Sequence, residues 1–168
     1  MDSIPPASLS LVRGSPLSEE PGLGTLTLPG FLREVTQRFA SNEALVLHTP
    51  GGSVERWSYA DLWDRAMEVA RALIICGIGK DSRVGVLMTN RPEFLSAVFG
   101  AGLVGALAVP LSTFSTPAEL GYLLQASCVA ALLLEGQVLK KDFAAILHAL
   151  EPQIATAAPG ALARARPG

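Results

Sequence analysis

Apolar residues recur along this chain with two spacings. Between residues 31 and 39, Phe31, Leu32, Val35 and Phe39 fall on one helical face and Arg33, Glu34, Gln37 and Arg38 on the other, which predicts a short amphipathic surface helix. Two short runs, residues 44–48 and 54–58, flank a turn containing Pro50, Gly51 and Gly52 and predict a β-hairpin. A longer helix follows. Ser58 is placed to cap it, Asp61 sits at the third helical position, and Leu62, Ala66, Val69, Ala70 and Leu73 form its apolar stripe. Asp61 with Arg65 and Glu68 with Arg71 have the spacing of ion pairs on the wet side, and Gly77 and Gly79 end the helix.

The pattern then changes to continuous apolar runs separated by capped helices. Residues 84–88 predict a strand buried on both faces. Asn90 or Arg91 stands at the next helix cap, with Pro92 in the first turn and Glu93 complementing the dipole. Residues 106–109 give a strand ended by Pro110, and Thr116-Pro117-Ala118-Glu119 is a capping box opening a helix that faces Leu120, Leu123 and Leu124 inward. Residues 129–134 predict a third buried strand, and Leu139, Phe143, Ile146, Leu147 and Leu150 a closing amphipathic helix. The order β-α-β-α-β-α predicts the α/β class: a layered, mainly parallel sheet with flanking helices and right-handed crossovers. The sequence shows no internal repeat. Residues 1–26, rich in Pro and Ser and lacking the basic and apolar regions of a signal peptide, read as a flexible leader. Residues 27–150 carry the fold, and 151–168, turning to Ala, Pro, Gly and Arg, read as an irregular tail or a truncated end.

Composition narrows the function classes. The 168 residues fit one domain. At 49% hydrophobic and 17% charged, with mean hydropathy +0.38, the chain is more apolar than an ordinary domain of about 25% charged residues, so part of its surface is expected to meet further protein. Thirteen Lys and Arg against 15 Asp and Glu give a net charge of −2 without long runs of either sign, which argues against a nucleic-acid or anionic-membrane partner. Cys76 and Cys128 are far apart and outside any metal-binding spacing, and are expected as buried, reduced thiols in a cytoplasmic protein. His48 and His148 stand alone in the sequence. Residues 95–111 carry no charge, but a stretch of about 17 residues containing Gly100, Gly102, Gly105 and Pro110 is expected to be a buried helix running into a strand and no transmembrane segment.

No catalytic, cofactor-binding or metal-ligating residue emerges from spacing. Gly100-Ala101-Gly102-Leu103-Val104-Gly105 spells G-x-G-x-x-G, yet it closes a helix and precedes a strand, the reverse of a dinucleotide site, and is expected instead to pack a helix end closely on the sheet. Gly77-Ile78-Gly79-Lys80-Asp81-Ser82 lacks phosphate-loop spacing and reads as a helix end with a solvated Lys80. Asp61 and Asp64 read as a wet helix face.

Three blocks carry a family resemblance. Trp57-Ser58-Tyr59-Ala60-Asp61-Leu62 resembles the first core motif of the adenylate-forming ligase superfamily, with Asp61 in place of the usual Glu. Residues 77–86 followed by Asn90-Arg91-Pro92-Glu93-Phe94 are similar to the strand and helix that follow in acyl-CoA synthetases. Residues 101–111 resemble the second core motif, and 116–124 its usual sequel. Order and spacing agree from about residue 28 to about 151, so the chain resembles the amino-terminal portion of an AMP-forming acyl-CoA synthetase. The resemblance implies ATP-dependent activation of a carboxylic acid, most commonly a fatty acid, to an acyl-adenylate and then to the coenzyme A thioester. It implies ATP, Mg²⁺ and coenzyme A for the full-length family and no cofactor bound by this chain alone. A Ser/Thr/Gly-rich loop ending in Pro-Lys-Gly is absent, and the only lysines are Lys80, Lys140 and Lys141. The chain is therefore expected to be inactive alone. The alternatives are a non-catalytic binding or regulatory module built on half of the ligase fold, paired with a protein that covers its apolar surface, and a small membrane protein.

Overall fold

The computed structural model describes residues 15–19, 27–49 and 51–158. The leader assigned to residues 1–26 lies outside these except at 15–19, where Leu17–Glu19 form a 3-10 turn. Residues 159–168 of the assigned tail also lie outside, while Pro152–Ala155 form a second such turn.

Helix α1 (Leu28–Phe39) starts three residues earlier than its apolar stripe suggests, because Thr27 caps it by accepting the Gly30 N–H at 3.1 Å. Of the four stripe residues only Leu32 is buried, and Phe31 and Phe39 are exposed, which corrects the expected face. The hairpin forms as expected from β1 (Glu43–His48) and β2 (Val54–Ser58), antiparallel with a bulge between Glu43 and Leu45. Thr49 and Ser53 close its turn.

Ser58 ends β2 and begins α2 (Tyr59–Ile75). Its hydroxyl accepts the Asp61 N–H at 3.1 Å and the Asp61 carboxylate accepts the Ser58 N–H at 2.8 Å, a complete capping box. The Ser58 hydroxyl also donates to the Asp61 carboxylate at 2.6 Å, and that bond, followed by the one from the Ser58 backbone N–H, holds the Asp61 carboxyl below its ordinary value. Asp61 is thereby diverted from the expected pair with Arg65, which meets Glu68 at 3.2 Å instead. Leu62, Ala66, Ala70 and Leu73 are buried, as the stripe predicts.

Three helix-to-strand junctions follow, all built alike. Helix α2 leads into β3 (Arg83–Leu87), α3 (Pro92–Leu103) into β4 (Leu107–Pro110), and α4 (Pro117–Ala126) into β5 (Ala131–Leu134). At each, a left-handed residue just past the helix lets the next two N–H groups reach back to the last turn: Gly77 to Ile74 and Ile78 to Leu73, Gly105 to Gly102 and Ala106 to Ala101, Cys128 to Gln125 and Val129 to Leu124. Gly77 and Gly105 take φ of 77° and 75° without a side chain to oppose it, whereas Cys128 holds φ 49° with one. This repeated geometry has no repeated sequence behind it.

The three strands form a parallel sheet of order β4-β3-β5, with β3 central. Successive crossovers run to opposite sides of β3, which places α3 and α4 on opposite faces. Val84, Ala108, Ala131 and Leu133 turn toward Leu73 and Ala101 of α2 and α3. Leu87, Val109, Leu132 and Leu134 turn toward Leu120 of α4 and Phe143 of α5 (Phe143–Leu150). Val84, Val86 and Leu87 are fully buried, each worth about 1.5–3 kcal/mol of apolar transfer. The strand at residues 84–88 is thus buried on both faces as expected, but β5, expected to match it, is a half-buried edge.

Two further expectations change. Leu139 is not in the closing helix. It occupies the tip of a small hairpin, β6 (Gln137–Val138) with β7 (Lys141–Asp142), at φ 54°. Nor do Cys76 and Cys128 lie in the core: both are exposed, because each falls at a helix end where the apolar stripe has turned away. No helix among the described residues is long and apolar enough to cross a membrane, and residues 95–111 divide between α3 and β4 as the sequence suggests.

Candidate functional site

In an open parallel sheet the strands point their carboxyl ends toward one edge, and ligands of α/β folds gather there. Three loops meet at this edge. The loop after β3 brings Thr89 and Arg91 and leads to Glu93 in the first turn of α3, the loop after β4 brings Ser112 to Ser115, and Glu135 directly follows β5.

Glu135 joins the first and third loops. Its Oε2 accepts the Thr89 hydroxyl at 2.7 Å and the Thr89 N–H at 3.1 Å, and its own N–H donates to the Leu87 carbonyl at 2.9 Å. Its Oε1 faces Arg91 Nη1 at 3.2 Å. Arg91 caps α3 without a side-chain cap bond. Its guanidinium instead grips Glu93 in bidentate fashion, Nε to Oε2 at 2.7 Å and Nη2 to Oε1 at 2.9 Å. Burial pushes the Glu135 carboxyl up, but hydrogen bonds from Thr89 and the Arg91 charge outweigh it and leave the group below its ordinary value. The hydrogen bond from Arg91 holds Glu93 low against its own burial, and that same bond raises Arg91. Two carboxylates on one guanidinium leave this end of the sheet locally anionic.

Beside it lies an open cleft of about 430 Å³, lined by Ser112, Phe114, Ser115, Glu119, Tyr122 and Leu123. Lys141 Nζ donates to the Thr113 and Ser115 carbonyls at 2.9 Å each, tying the β6–β7 hairpin to the loop after β4. Glu119 is committed to the Thr116 cap, accepting the Thr116 N–H at 2.7 Å, and its carboxyl is held low by the Thr116 backbone and hydroxyl. The cleft offers two aromatic faces and three hydroxyls, those of Ser112, Ser115 and Tyr122.

The glycine series at 100–105 does close a helix, but its neighbours are helices and a loop, not the sheet. A Cβ on Gly100 would lie 2.6 Å from Val69 Cγ1 of α2, one on Gly102 would lie 3.3 Å from Pro29 of α1, and one on Gly105 would lie 3.3 Å from Lys80. Lys80 itself is exposed, as the sequence suggests. His48 and His148 are exposed, at the end of β1 and in the last turn of α5.

At the carboxyl edge the Arg91 guanidinium is paired with the Glu93 and Glu135 carboxylates, and among the described residues no group of three His, Cys, Asp or Glu could hold a metal ion. No reaction step is assigned to these residues. The Thr89–Arg91–Glu93–Glu135 network was not visible in the sequence, since finding it needs the neighbour relation of β3 and β5, which motif spacing does not encode.

Comparison with known proteins agrees with this geometry. Residues 32–163 match the AMP-binding enzyme family. The chain is 34% identical over 128 residues to acyl-CoA ligase sidI of Aspergillus fumigatus, covering 76% of this chain and 21% of that protein. It is 29% identical over 136 residues to the putative acyl-CoA synthetase YngI of Bacillus subtilis, covering 81% of this chain and 24% of that one. The chain therefore spans about a fifth to a quarter of the length of these curated relatives. Among solved structures, the N-terminal domain of FACL13 from Mycobacterium tuberculosis is similar with a TM-score of 0.62 and 25% identity, over 82% of this chain and 31% of that one. The anthranilate CoA ligase AuaEII shares the fold, with a TM-score of 0.64 at 22% identity, over 75% of this chain and 22% of that one. By sequence and by fold, the chain belongs to the AMP-binding enzyme family as an amino-terminal portion of its adenylate-forming domain.

Proposed function

We propose that this chain is the amino-terminal portion of an AMP-forming acyl-CoA synthetase that is inactive by itself. The observation that supports this reading best is the unbroken series from α2 to β5, which runs in family order through both core motifs. In the complete enzyme, a carboxylate oxygen attacks the α-phosphorus of ATP and pyrophosphate leaves. The coenzyme A thiol then attacks the acyl-adenylate carbonyl, forming the thioester and releasing AMP. Mg²⁺ accompanies ATP, the acid is a fatty acid, and the compartment is the cytoplasm.

The residues of this chain act as scaffold in that scheme. Ser58 and Thr116 cap α2 and α4, and the Glu135 network holds the ends of β3 and β5 together. Adenylate formation needs preorganised positive charge at the phosphates, and Lys80, Lys140 and Lys141 are not arranged to supply it: Lys141 is committed to two carbonyls, while Lys80 and Lys140 are exposed at turns. Carboxylate-dependent exchange of labelled pyrophosphate into ATP tests the reading. The purified chain is expected to give no exchange above buffer with a panel of fatty acids, and exchange that rises with fatty-acid concentration overturns it.

A further inference from the structure

We propose that Phe114, Tyr122 and Leu139 form the seat on which the polypeptide continuing the AMP-binding fold docks. This rests on the reading of the chain as an amino-terminal ligase portion and identifies the partner surface of that portion.

Three observations carry it. Large apolar side chains on a folded surface are rarely left bare together, yet Phe114 is 84% exposed, Tyr122 71% and Leu139 92%. They belong to one region: Phe114 and Tyr122 line the same cleft, and the two Lys141 bonds to Thr113 and Ser115 hold the Leu139 hairpin against the loop that bears Phe114. Aromatic anchors set beside a groove are the usual centre of a protein interface.

The second observation concerns Leu139. It sits at φ 54°, a conformation that an L side chain adopts at a cost, and it projects an apolar group into water from there. Isolated turns at such angles usually carry Gly, Asn or Asp. A leucine gains from that position only when something apolar covers it.

The third observation identifies what covers the patch. The parallel sheet stops at three strands, with β4 and β5 each paired on one side only among the described residues, although parallel sheets are normally buried and larger. The curated relatives are four to five times longer than the matched part, and the similar FACL13 domain is about three times longer. The missing neighbours of the edges and the cover of the patch are therefore parts of one body, the remaining adenylate-forming fold. The cleft carries one charged side chain, Glu119, already bonded to Thr116, so the covering surface is apolar with few charges.

The test titrates the full 168-residue chain with a defined probe: the part of Bacillus subtilis YngI that follows its matched segment. Association is read by size-exclusion chromatography with light scattering. The matched YngI segment serves as the positive control. The expected result is a one-to-one complex that Phe114→Ser and Tyr122→Ser each weaken at least tenfold. Phe31→Ser, on the exposed face of α1 in the opposite layer, changes it less than twofold. Because all three side chains are exposed, the variants melt with the parent chain, so lost binding is not lost folding. A complex indifferent to Phe114→Ser/Tyr122→Ser overturns the seat and leaves the ligase reading intact. Failure to bind a probe that accepts the YngI segment counts against the reading itself. Concentration-dependent self-association that the double variant abolishes assigns the patch to a second copy and overturns the proposal.

Discussion

Gly100 is where α2 and α3 come closest, and Gly100→Ala measures how close. An alanine there would set its Cβ 2.6 Å from Val69 Cγ1, 2.7 Å from Val69 Cβ and 2.9 Å from the Ala66 carbonyl oxygen. Carbon atoms pack comfortably at about 3.5–4 Å, so the shortfall is roughly 1 Å. A rotating side chain cannot absorb it, since one obstacle is the backbone of α2 at Ala66, a fully buried position. Helix α3 must move off α2, loosening Ala101 against Leu73. Overpacking of this kind costs about 1–3 kcal/mol, and the better helix propensity of alanine returns about 1 kcal/mol. The net loss is about 0–2 kcal/mol, or up to about 8 °C in Tm for a domain of this size. Urea unfolding followed by circular dichroism at constant m-value measures it. Gly79→Ala is the matched control: nothing lies within 4 Å of its Cβ and φ is ordinary, so stability is expected unchanged or raised by up to about 1 kcal/mol. Adding Val69→Ala to Gly100→Ala removes the Cγ1 contact but leaves Cβ and the carbonyl, so rescue is incomplete. A Gly100→Ala protein more stable than the parent refutes the close approach of the two helices.

Acid sensitivity is expected from the Glu135 network. Glu93 and Glu135 both titrate below their ordinary value in the folded chain, so their contribution is complete above the unfolded value near pH 4.3 and disappears as pH falls through the lower folded values. Glu135→Gln keeps an acceptor for Thr89 but loses the charge facing Arg91. The variant is expected to be less stable at pH 6 and to lose less on acidification, and parallel acid limbs in parent and variant would rule out this source. At Cys128, replacement by glycine relieves a side chain at φ 49° while adding freedom to the unfolded chain, for a net gain of about 0.5–1 kcal/mol. A loss of stability would contradict the strain assigned to this junction.

Local signals in this sequence translated well into structure. The Ser58 and Thr116 capping boxes, the hairpin turn and the fully apolar run at residues 84–88 all depend on neighbours within a few residues, and each formed as read. Tertiary choices were less legible. Periodicity alone cannot say that Phe31 and Phe39 turn outward while Leu32 turns inward, because that depends on where α2 and α3 lie. Leu139 extends the apolar pattern of α5 by one turn, and only the Gln137–Asp142 pairing removes it from the helix. The Glu135 network depends on β5 lying beside β3 and not beside β4, a matter of crossover direction that leaves no mark in composition.

The place of β3 at the centre of its sheet also orders events in time. It is the first of the three strands to be synthesised, β4 joins on one side, and β5 crosses over to the other. A chain emerging from the ribosome at about 5–20 residues per second can therefore assemble this layer outward from its middle, in the order of translation, without inserting a late strand between two early ones. Each side then stays available to whatever emerges next. Among the described residues, the uncharged Leu107–Pro110 and Ala131–Leu134 edges are the two places where the layer offers unpaired backbone groups to another strand.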